Sequence, residues 1–223
     1  MAIKPILFNT EMVLAILDGR KTCTRRICKD ANEYTVPDME FYNADRRTYA
    51  VHNFADKEQM EQLSTAERTC PICPGDILYV RETWEHFECC CCEGDEHGNC
   101  YREPQQSALN KSCGCYMYRA TDEIYGDARW HPSIHMPKEA ARIWLKVTDV
   151  RVERLQDIDG KGCVKEGIEE EPLKHVGEDF VKGMFHDLWD STIKKSDIDR
   201  YGWDANPWVW VIEFERCEKP KGV

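Results

Sequence analysis

The chain has 223 residues, of which 42% are hydrophobic and 32% are charged, and its formal net charge is −11. This length and composition predict a packed core and exclude wholesale disorder. The negative charge argues against general coating of nucleic acid, because such binding depends on many basic side chains that neutralise phosphates. No run approaches the roughly 18 apolar residues of a membrane span. The first residues also lack a secretory signal, so we expect a cytoplasmic protein without membrane contact.

The basic residues are concentrated near the start of the sequence. Residues 1–30 contain six lysines and arginines against three acidic residues, and the rest of the chain sums to −14. A local basic patch in an acidic protein suits a small anionic or nucleotide ligand better than a long duplex.

The first elements lead into a cluster of reactive side chains. Residues 4–9 predict a strand, residues 10–18 a short amphipathic helix and residues 21–27 a second strand. Lys21 precedes Thr24 by three residues, so its amine is a candidate base for the hydroxyl if the amine can be held neutral. Residues three apart in a regular strand point to opposite faces, so this pairing predicts a break near Thr22 and Cys23.

The same cluster also has a purely structural interpretation. Gly19 is well placed as the left-handed residue that ends the helix. Arg20 and Lys21 would then complement the negative end of the helix dipole.

The remaining elements predict an α+β fold with inserted segments. Residues 30–69 read as a variable surface segment with one helix around residues 57–68. A turn at residues 74–76 opens a strand over residues 77–84, and a weaker strand covers residues 116–121. Residues 143–155 form a long strand with a bulge or bend near Thr148 and Asp149.

The C-terminal third predicts two helices and a central strand. Asp157 or Asp159 caps a short helix that leads to Glu166, and a second helix covers residues 178–194. Its predicted apolar side consists of Phe180, Met184, Phe185, Leu188 and Trp189. Residues 208–214 are apolar on both faces, which is typical of a central strand. Together these elements predict one domain over residues 1–223, a mixed barrel of five to seven strands with two or three flanking helices.

Residues 85–115 form a second insertion, rich in cysteine. The chain has 13 cysteines, and in a reducing compartment this density indicates metal rather than disulfides. Cys70 and Cys73 match a zinc spacing with Cys89 and Cys92, but a strand of about 26 Å would separate the two pairs. A structural zinc site inside the insertion is easier to close. Its candidate ligands are Cys89, Cys92, Cys100, Cys113 and Cys115. The alternative is that these are free thiols on a tolerated loop, and no organic cofactor is indicated.

Four motifs follow one another along the chain: Gly-Arg-Lys-Thr-x-Thr at residues 19–24, the Pro-Gly-Asp turn, the long Val-rich strand and the closing Trp-Val-Ile-Glu-Phe strand. Motifs in this order resemble the ASCH domain family, which belongs to the PUA-like superfamily of small β-barrels associated with RNA. Residues 132–137, 147–158 and 205–214 resemble the phage and prophage branch of that family. The resemblance covers most of the chain outside residues 30–69 and the cysteine-rich insertion.

The resemblance implies a candidate activity. Small bacterial members of the family include amidohydrolases that remove the acetyl group from N4-acetylcytidine with a lysine, a threonine and a glutamate. The matching positions here are Lys21, Thr24 and Glu166, the last through residues 163–168 (CVKEGI). This chain differs from those enzymes in its larger size, its cysteine-rich insertion and Arg25, where a short enzyme commonly has an apolar residue.

Three functional hypotheses follow. In the first, Thr24 supplies a nucleophile, Lys21 is its base, and Glu166 positions Lys21 or protonates the leaving nitrogen; the same three residues also read as an ion pair beside a hydroxyl. In the second, the chain is a non-catalytic RNA or nucleotide-binding module. Its candidate contacts are Arg20, Arg25 and Arg26 at phosphates and an exposed aromatic such as Trp84 or Trp130 against a base. In the third, a phage-encoded protein binds a host protein through the cysteine-rich insertion.

Overall fold

The computed structural model describes residues 1–29, 37–40, 48–53, 66–69, 71–88, 105–106, 113–123 and 129–221. The strands in this part of the chain are β1 Ile3–Leu7, β2 Cys23–Ile27, β3 Pro37–Glu40, β4 Thr48–Asn53, β5 Ala66–Thr69, β6 Ile77–Arg81, β7 Trp84–Glu88, β8 Gln105–Gln106, β9 Cys113–Tyr118, β10 Trp144–Arg154 and β11 Trp208–Cys217. The α-helices are α1 Thr10–Leu17, α2 Gly160–Lys165, α3 Glu171–His175, α4 Glu178–Thr192 and α5 Ile198–Tyr201.

The strands pair into one five-stranded sheet and two three-stranded sheets. The five-stranded sheet has the order β1-β6-β10-β11-β2, and the smaller ones have the orders β3-β4-β5 and β7-β9-β8. Strand β1 is parallel to β6, whereas β10 is antiparallel to β6 and β11 is antiparallel to β2. The predicted α+β class is confirmed. The strand pairings of the described residues do not close the predicted barrel.

The chain divides into two compact units. The first comprises Met1–Asp18, Ile77–Lys146 and Arg216–Val223, and the second comprises Gly19–Asp76 and Val147–Glu215. The single domain expected over residues 1–223 stays a prediction.

The first unit has an aromatic core around β7 and β9. Trp84 is only 1% exposed, and its ring centroid lies 5.7 Å from that of Tyr116 and 5.1 Å from that of His131. Trp84 is therefore not the exposed aromatic that the sequence predicted for base stacking, because the core packing of β7 against β9 covers its ring. Trp130, the other candidate, is half-buried.

The second unit is built around α2, α4, β2 and β11. Its core consists of ten buried residues: Cys23, Leu155, Ile158, Cys163, Ile168, Val181, Phe185, Trp189, Val209 and Val211. Helix α4 buries positions four apart, so its buried stripe runs through Val181, Phe185 and Trp189. Phe180 lies beside this stripe and is 52% exposed, so the predicted apolar side was wrong at that residue.

Two further predictions concern strands. In β10 the burial phase changes at Thr148 and Asp149, which are both exposed between buried Val147 and Val150, at the position predicted for a bulge or bend. The helix predicted around residues 57–68 was wrong at its end, because Ala66–Thr69 pairs with β4 as a strand. Residues 57–65 lie outside the described residues.

None of the helices in the described ranges combines the length and hydrophobicity needed to span a bilayer.

Candidate active site

Lys21 is held at the entrance to β2. Gly19 has a φ of +77°, the left-handed conformation expected of the residue that ends the preceding helix. The backbone N–H of Thr22 donates to the Lys165 carbonyl at 2.9 Å, and the Thr22 carbonyl accepts from Phe214 at 2.9 Å. Strand β2 begins only at Cys23, two residues later than predicted, so Lys21 lies outside the regular strand.

Glu166 directly follows helix α2 as its C-cap residue. The Oδ1 atom of Asp159 caps the start of α2 by accepting a 2.6 Å hydrogen bond from the Gly162 backbone, which confirms one of the two predicted caps. The backbone N–H of Glu166 donates to the carbonyls of Gly162 and Cys163. Gly167 follows with a φ of +107°, a conformation that favours glycine.

Lys21 and Glu166 form a buried ion pair. Lys21 Nζ donates to Glu166 Oε2 at 2.7 Å and to the Glu166 carbonyl oxygen, also at 2.7 Å. The two side chains are 0% and 5% exposed. Burial lowers the pKa of Lys21 below its ordinary value, although the charge and hydrogen bond of Glu166 oppose this shift. The structure thus brings together two predicted site residues that are 145 positions apart in the sequence.

Arg25 contacts the other carboxylate oxygen of Glu166. Its Nη1 donates to Glu166 Oε1 at 3.2 Å and its Nη2 to Glu153 Oε2 at 3.4 Å. Arg25 is only 4% exposed, and its predicted role as a phosphate contact stays a prediction. Of the other candidate arginines, Arg20 donates to the Gly167 carbonyl at 2.7 Å, and Arg26 to the Arg25 carbonyl at 3.1 Å.

Thr24 is buried but is not hydrogen-bonded to Lys21. The residue is 1% exposed, and its Oγ1 atom has no hydrogen-bond partner within the described ranges. In a regular strand Thr24 faces away from Cys23 and Arg25, which line one cavity, and shares a face with Arg26, which lines another. Of the predicted amine, alcohol and carboxylate, the structure therefore joins the amine and the carboxylate.

A charged cavity of about 380 Å³ lies next to this pair. Four cationic side chains line it, and they are Arg25, Arg151, Lys161 and Lys165. Four carboxylates balance them, and they are Glu153, Asp157, Asp159 and Glu213. Arg25 belongs to both features, because it lines the cavity and also contacts Glu166. The cavity therefore offers both donors and acceptors to an amphoteric ligand.

An ion network continues from Arg25 along the cavity. Arg151 contacts Glu153, lies 2.9 Å from Glu213 and lies 3.1 Å from Asp149. Lys165 is 3.4 Å from Glu213 at the exposed end. Charges of alternating sign thus connect the buried Lys21 to the solvent-facing rim.

Arg151, Glu153 and Glu213 were not among the site residues predicted from the sequence. The sequence of β10 and that of β11 each contain one feature that could have indicated these residues. Arg151 and Glu153 are two positions apart in β10, which places them on one face of a regular strand. Glu213 interrupts the apolar run of residues 208–214 in β11, and a carboxylate in a central strand requires a partner.

A second cavity of about 270 Å³ lies beside β2 and β11. Its walls are mostly apolar, from Ile27, Ile72, Val150, Trp210 and Ile212, and Arg26 supplies a cation.

Most of the predicted zinc ligands lie outside the described residues. These are Cys89, Cys92 and Cys100, together with the side chain of Cys113, while Cys115 is half-buried in β9. Among the described residues, no group of three or more His, Cys, Asp or Glu side chains is arranged to hold a metal ion. The zinc site stays a prediction.

Comparisons with protein-family models, curated proteins and solved structures found no match to the chain.

Proposed function

We propose that the chain is a cytoplasmic ASCH-type protein of the PUA-like superfamily, from the phage and prophage branch, that acts on RNA-derived or modified nucleosides. Its proposed reaction is hydrolysis of the amide of N4-acetylcytidine or a similar N4-acylated cytidine. The observation that carries the proposal is the buried Lys21–Glu166 pair, joined at 2.7 Å beside a charged cavity. The closed barrel of the superfamily is part of the same proposal.

The chemistry needs a base, a nucleophile and a proton for the leaving amine. In the proposed reaction Lys21 Nζ takes the proton of the Thr24 hydroxyl, whose oxygen attacks the acyl carbon. The carbon–nitrogen bond breaks, the leaving nitrogen takes a proton from Lys21, and water then hydrolyses the Thr24 ester to release the carboxylic acid. Glu166 orients Lys21 throughout. The Thr24 hydroxyl has no hydrogen-bond partner among the described residues, so the proposed reaction requires it to come within hydrogen-bonding reach of Lys21 when the substrate binds.

Cytidine release from N4-acetylcytidine by the purified chain tests the proposal directly. We expect turnover by the natural protein and a loss of at least about a hundredfold in Lys21→Met, the order by which a general base contributes. Lys194→Met is the matched control, because it removes an exposed amine that does not line the cavity. Turnover that persists undiminished in Lys21→Met would reject the assignment.

The alternative, a non-catalytic nucleotide-binding module, is favoured by one observation. Arg26 lines an apolar cavity that also contains Trp210, which is the combination of a cation and an apolar wall that a base with its phosphate requires. On this alternative, the affinity for RNA falls as ionic strength rises. Arg26→Gln should reduce the slope of log affinity against log salt concentration by about the amount that one phosphate contact contributes. Salt-independent or undetectable binding of RNA would reject it.

We also propose a structural zinc ion in the cysteine-rich insertion, held by Cys100, Cys113 and Cys115 together with Cys89 or Cys92. Elemental analysis of protein purified without a histidine tag should give about one equivalent of zinc, because a site filled by protein ligands retains its metal. A content below about a tenth of an equivalent would exclude a structural site of this kind.

A further inference from the structure

The four cations that line the charged cavity differ in their carboxylate partners and in their burial. Arg151 contacts three carboxylates, those of Asp149, Glu153 and Glu213. Lys165 lies 3.4 Å from both carboxylate oxygens of Glu213. Lys161 is exposed to solvent. Arg25 alone among these four is at least nine-tenths buried.

Arg25 is incompletely satisfied at this buried position. Its contacts of 3.2 Å to Glu166 and 3.4 Å to Glu153 are longer than the roughly 2.7–2.9 Å of a strong charge-assisted hydrogen bond. Its Nε atom is buried and has no acceptor among the described residues. Buried donors of this kind normally have partners, and a guanidinium carries five of them. Arg25 therefore retains capacity for a further acceptor.

An acceptor for Arg25 can come from the cavity, because Arg25 forms part of its lining. Glu153 is the weaker of its two carboxylate contacts and is 28% exposed. Glu153 also contacts Arg151, so it keeps a cationic partner if Arg25 turns to a ligand. Exchange of Glu153 for a ligand oxygen thus leaves no buried charge unpaired.

We propose that the cavity binds an oxyanion of its ligand through Arg25, in competition with Glu153. The ligand class is a small molecule that carries a carboxylate or a phosphate together with hydrogen-bond donors for the remaining cavity carboxylates. The inference rests on the proposed function in using the same cavity. Two sources supply the oxyanion: the carboxylate that amide hydrolysis releases, and the phosphate of a nucleotide.

Calorimetric titration of the full chain with acetate, inorganic phosphate, cytidine and cytidine 5′-monophosphate tests the proposal. We expect acetate or the phosphate-bearing compounds to bind, and Glu153→Gln to bind the same anion about two- to fivefold more tightly, the factor that a partly exposed ion pair represents. Glu169→Gln makes the same charge change at an exposed residue outside the cavity and should leave the affinity unchanged. Arg25→Lys keeps the charge without the planar fork and should weaken binding.

The outcomes separate cleanly. Binding of acetate assigns the oxyanion to the acyl group, whereas binding of cytidine 5′-monophosphate and phosphate without acetate assigns it to a nucleotide. Absence of anion binding, or equal affinities in Glu153→Gln and the natural protein, overturns the inference. Tightened anion binding without turnover of N4-acetylcytidine rejects the proposed function alone, and turnover with anion binding that ignores Glu153→Gln rejects this inference alone.

Discussion

At the scale of single residues, the Lys21 amine is subject to two opposing effects. Burial disfavours its charged form, and the carboxylate of Glu166 at 2.7 Å favours it. Burial is the larger effect, so the pKa of Lys21 lies below its ordinary value. A lysine in this state is a better base near neutral pH than an exposed one, because more of it is unprotonated.

Thr24→Val separates the chemical role of the hydroxyl from any structural role. The substitution keeps the shape of the side chain, and the Oγ1 atom that it removes has no partner among the described residues. We therefore expect the free energy of unfolding to stay within about 0.5 kcal/mol of the natural protein, or to rise, because a buried unpaired polar group is lost. Urea denaturation measures this.

The same variant should abolish turnover of N4-acetylcytidine if Thr24 is the nucleophile. Thr22→Val, at the neighbouring threonine, is the control and should keep its activity. A fully active Thr24→Val protein would leave Lys21 and Glu166 acting on a nucleophile other than Thr24.

Lys21→Met should destabilise the protein through the partner that it leaves behind. Removing one member of a buried ion pair costs about 3–5 kcal/mol. Arg25 still contacts Glu166, so we expect a value near the lower end. In the double variant with Glu166→Gln, the loss should fall short of the sum of the single losses by about 0.5–3 kcal/mol, measured by urea denaturation. Strictly additive losses would show that the pair contributes no coupling.

The sequence predicted the pairing of Lys21 with Glu166 through a family motif rather than through spacing. It could not predict how Arg25 is placed, because a basic residue after a threonine reads equally well as a solvent-facing phosphate contact. The buried position of Arg25 depends on Glu153 and Glu166, which come from two other elements. The burial of Trp84 likewise depends on β9, whose pairing with β7 no local pattern specifies.

At the scale of elements, helix α2 sets the position of Glu166. It has only six residues, so its stability depends strongly on the Asp159 cap. The sequence predicted this helix and its cap because Asp followed by glycines is a local signal. It predicted the buried side of α4 less well, since five apolar residues fit more than one stripe and only packing decides that Phe180 is left outside.

Asp159→Ala tests the contribution of this cap. We expect a loss of about 1 kcal/mol in the free energy of unfolding and a lower rate of turnover, because Glu166 loses its fixed position. Asn9→Ala removes the equivalent cap of α1, whose Oδ1 accepts from the Met12 backbone at 2.8 Å. That control should show a similar stability loss with unchanged activity per folded molecule. Equal activity in both variants would show that α2 does not position Glu166 for the reaction.

At the scale of the whole molecule, length and composition predicted a packed core and little more. The α+β class followed from hydrophobic periodicity, whereas the order of the five-stranded sheet depends on contacts between distant segments. The chain carries a net charge of −11, yet the cavity lining balances four cations with four carboxylates. Total charge therefore says little about the ligand that the cavity accepts.

Global stability should fall at alkaline pH through two buried thiols. Burial raises the pKa of Cys23 to about 12 and that of Cys163 to about 11, from an ordinary value of 9.0. Between pH 8 and 10 the unfolded chain releases these protons and the folded chain keeps them, so each thiol lowers the free energy of unfolding by about 1.4 kcal/mol. Cys163→Ala should reduce the difference between urea denaturations at the two pH values by that amount. If Cys163→Ala shows the same loss of stability between pH 8 and pH 10 as the natural protein, the raised pKa of Cys163 is contradicted.

The most direct test of the central claim, that a buried Lys21 paired with Glu166 is the base, is the pH dependence of kcat/KM for N4-acetylcytidine hydrolysis. Activity should rise with pH, with a midpoint below the ordinary lysine pKa of 10.5, because the neutral amine is the active form. In Glu166→Gln the midpoint should move to still lower pH, since the carboxylate that raises the pKa of Lys21 is removed. A profile without this rise, or a midpoint that Glu166→Gln leaves in place or moves upward, would contradict the account.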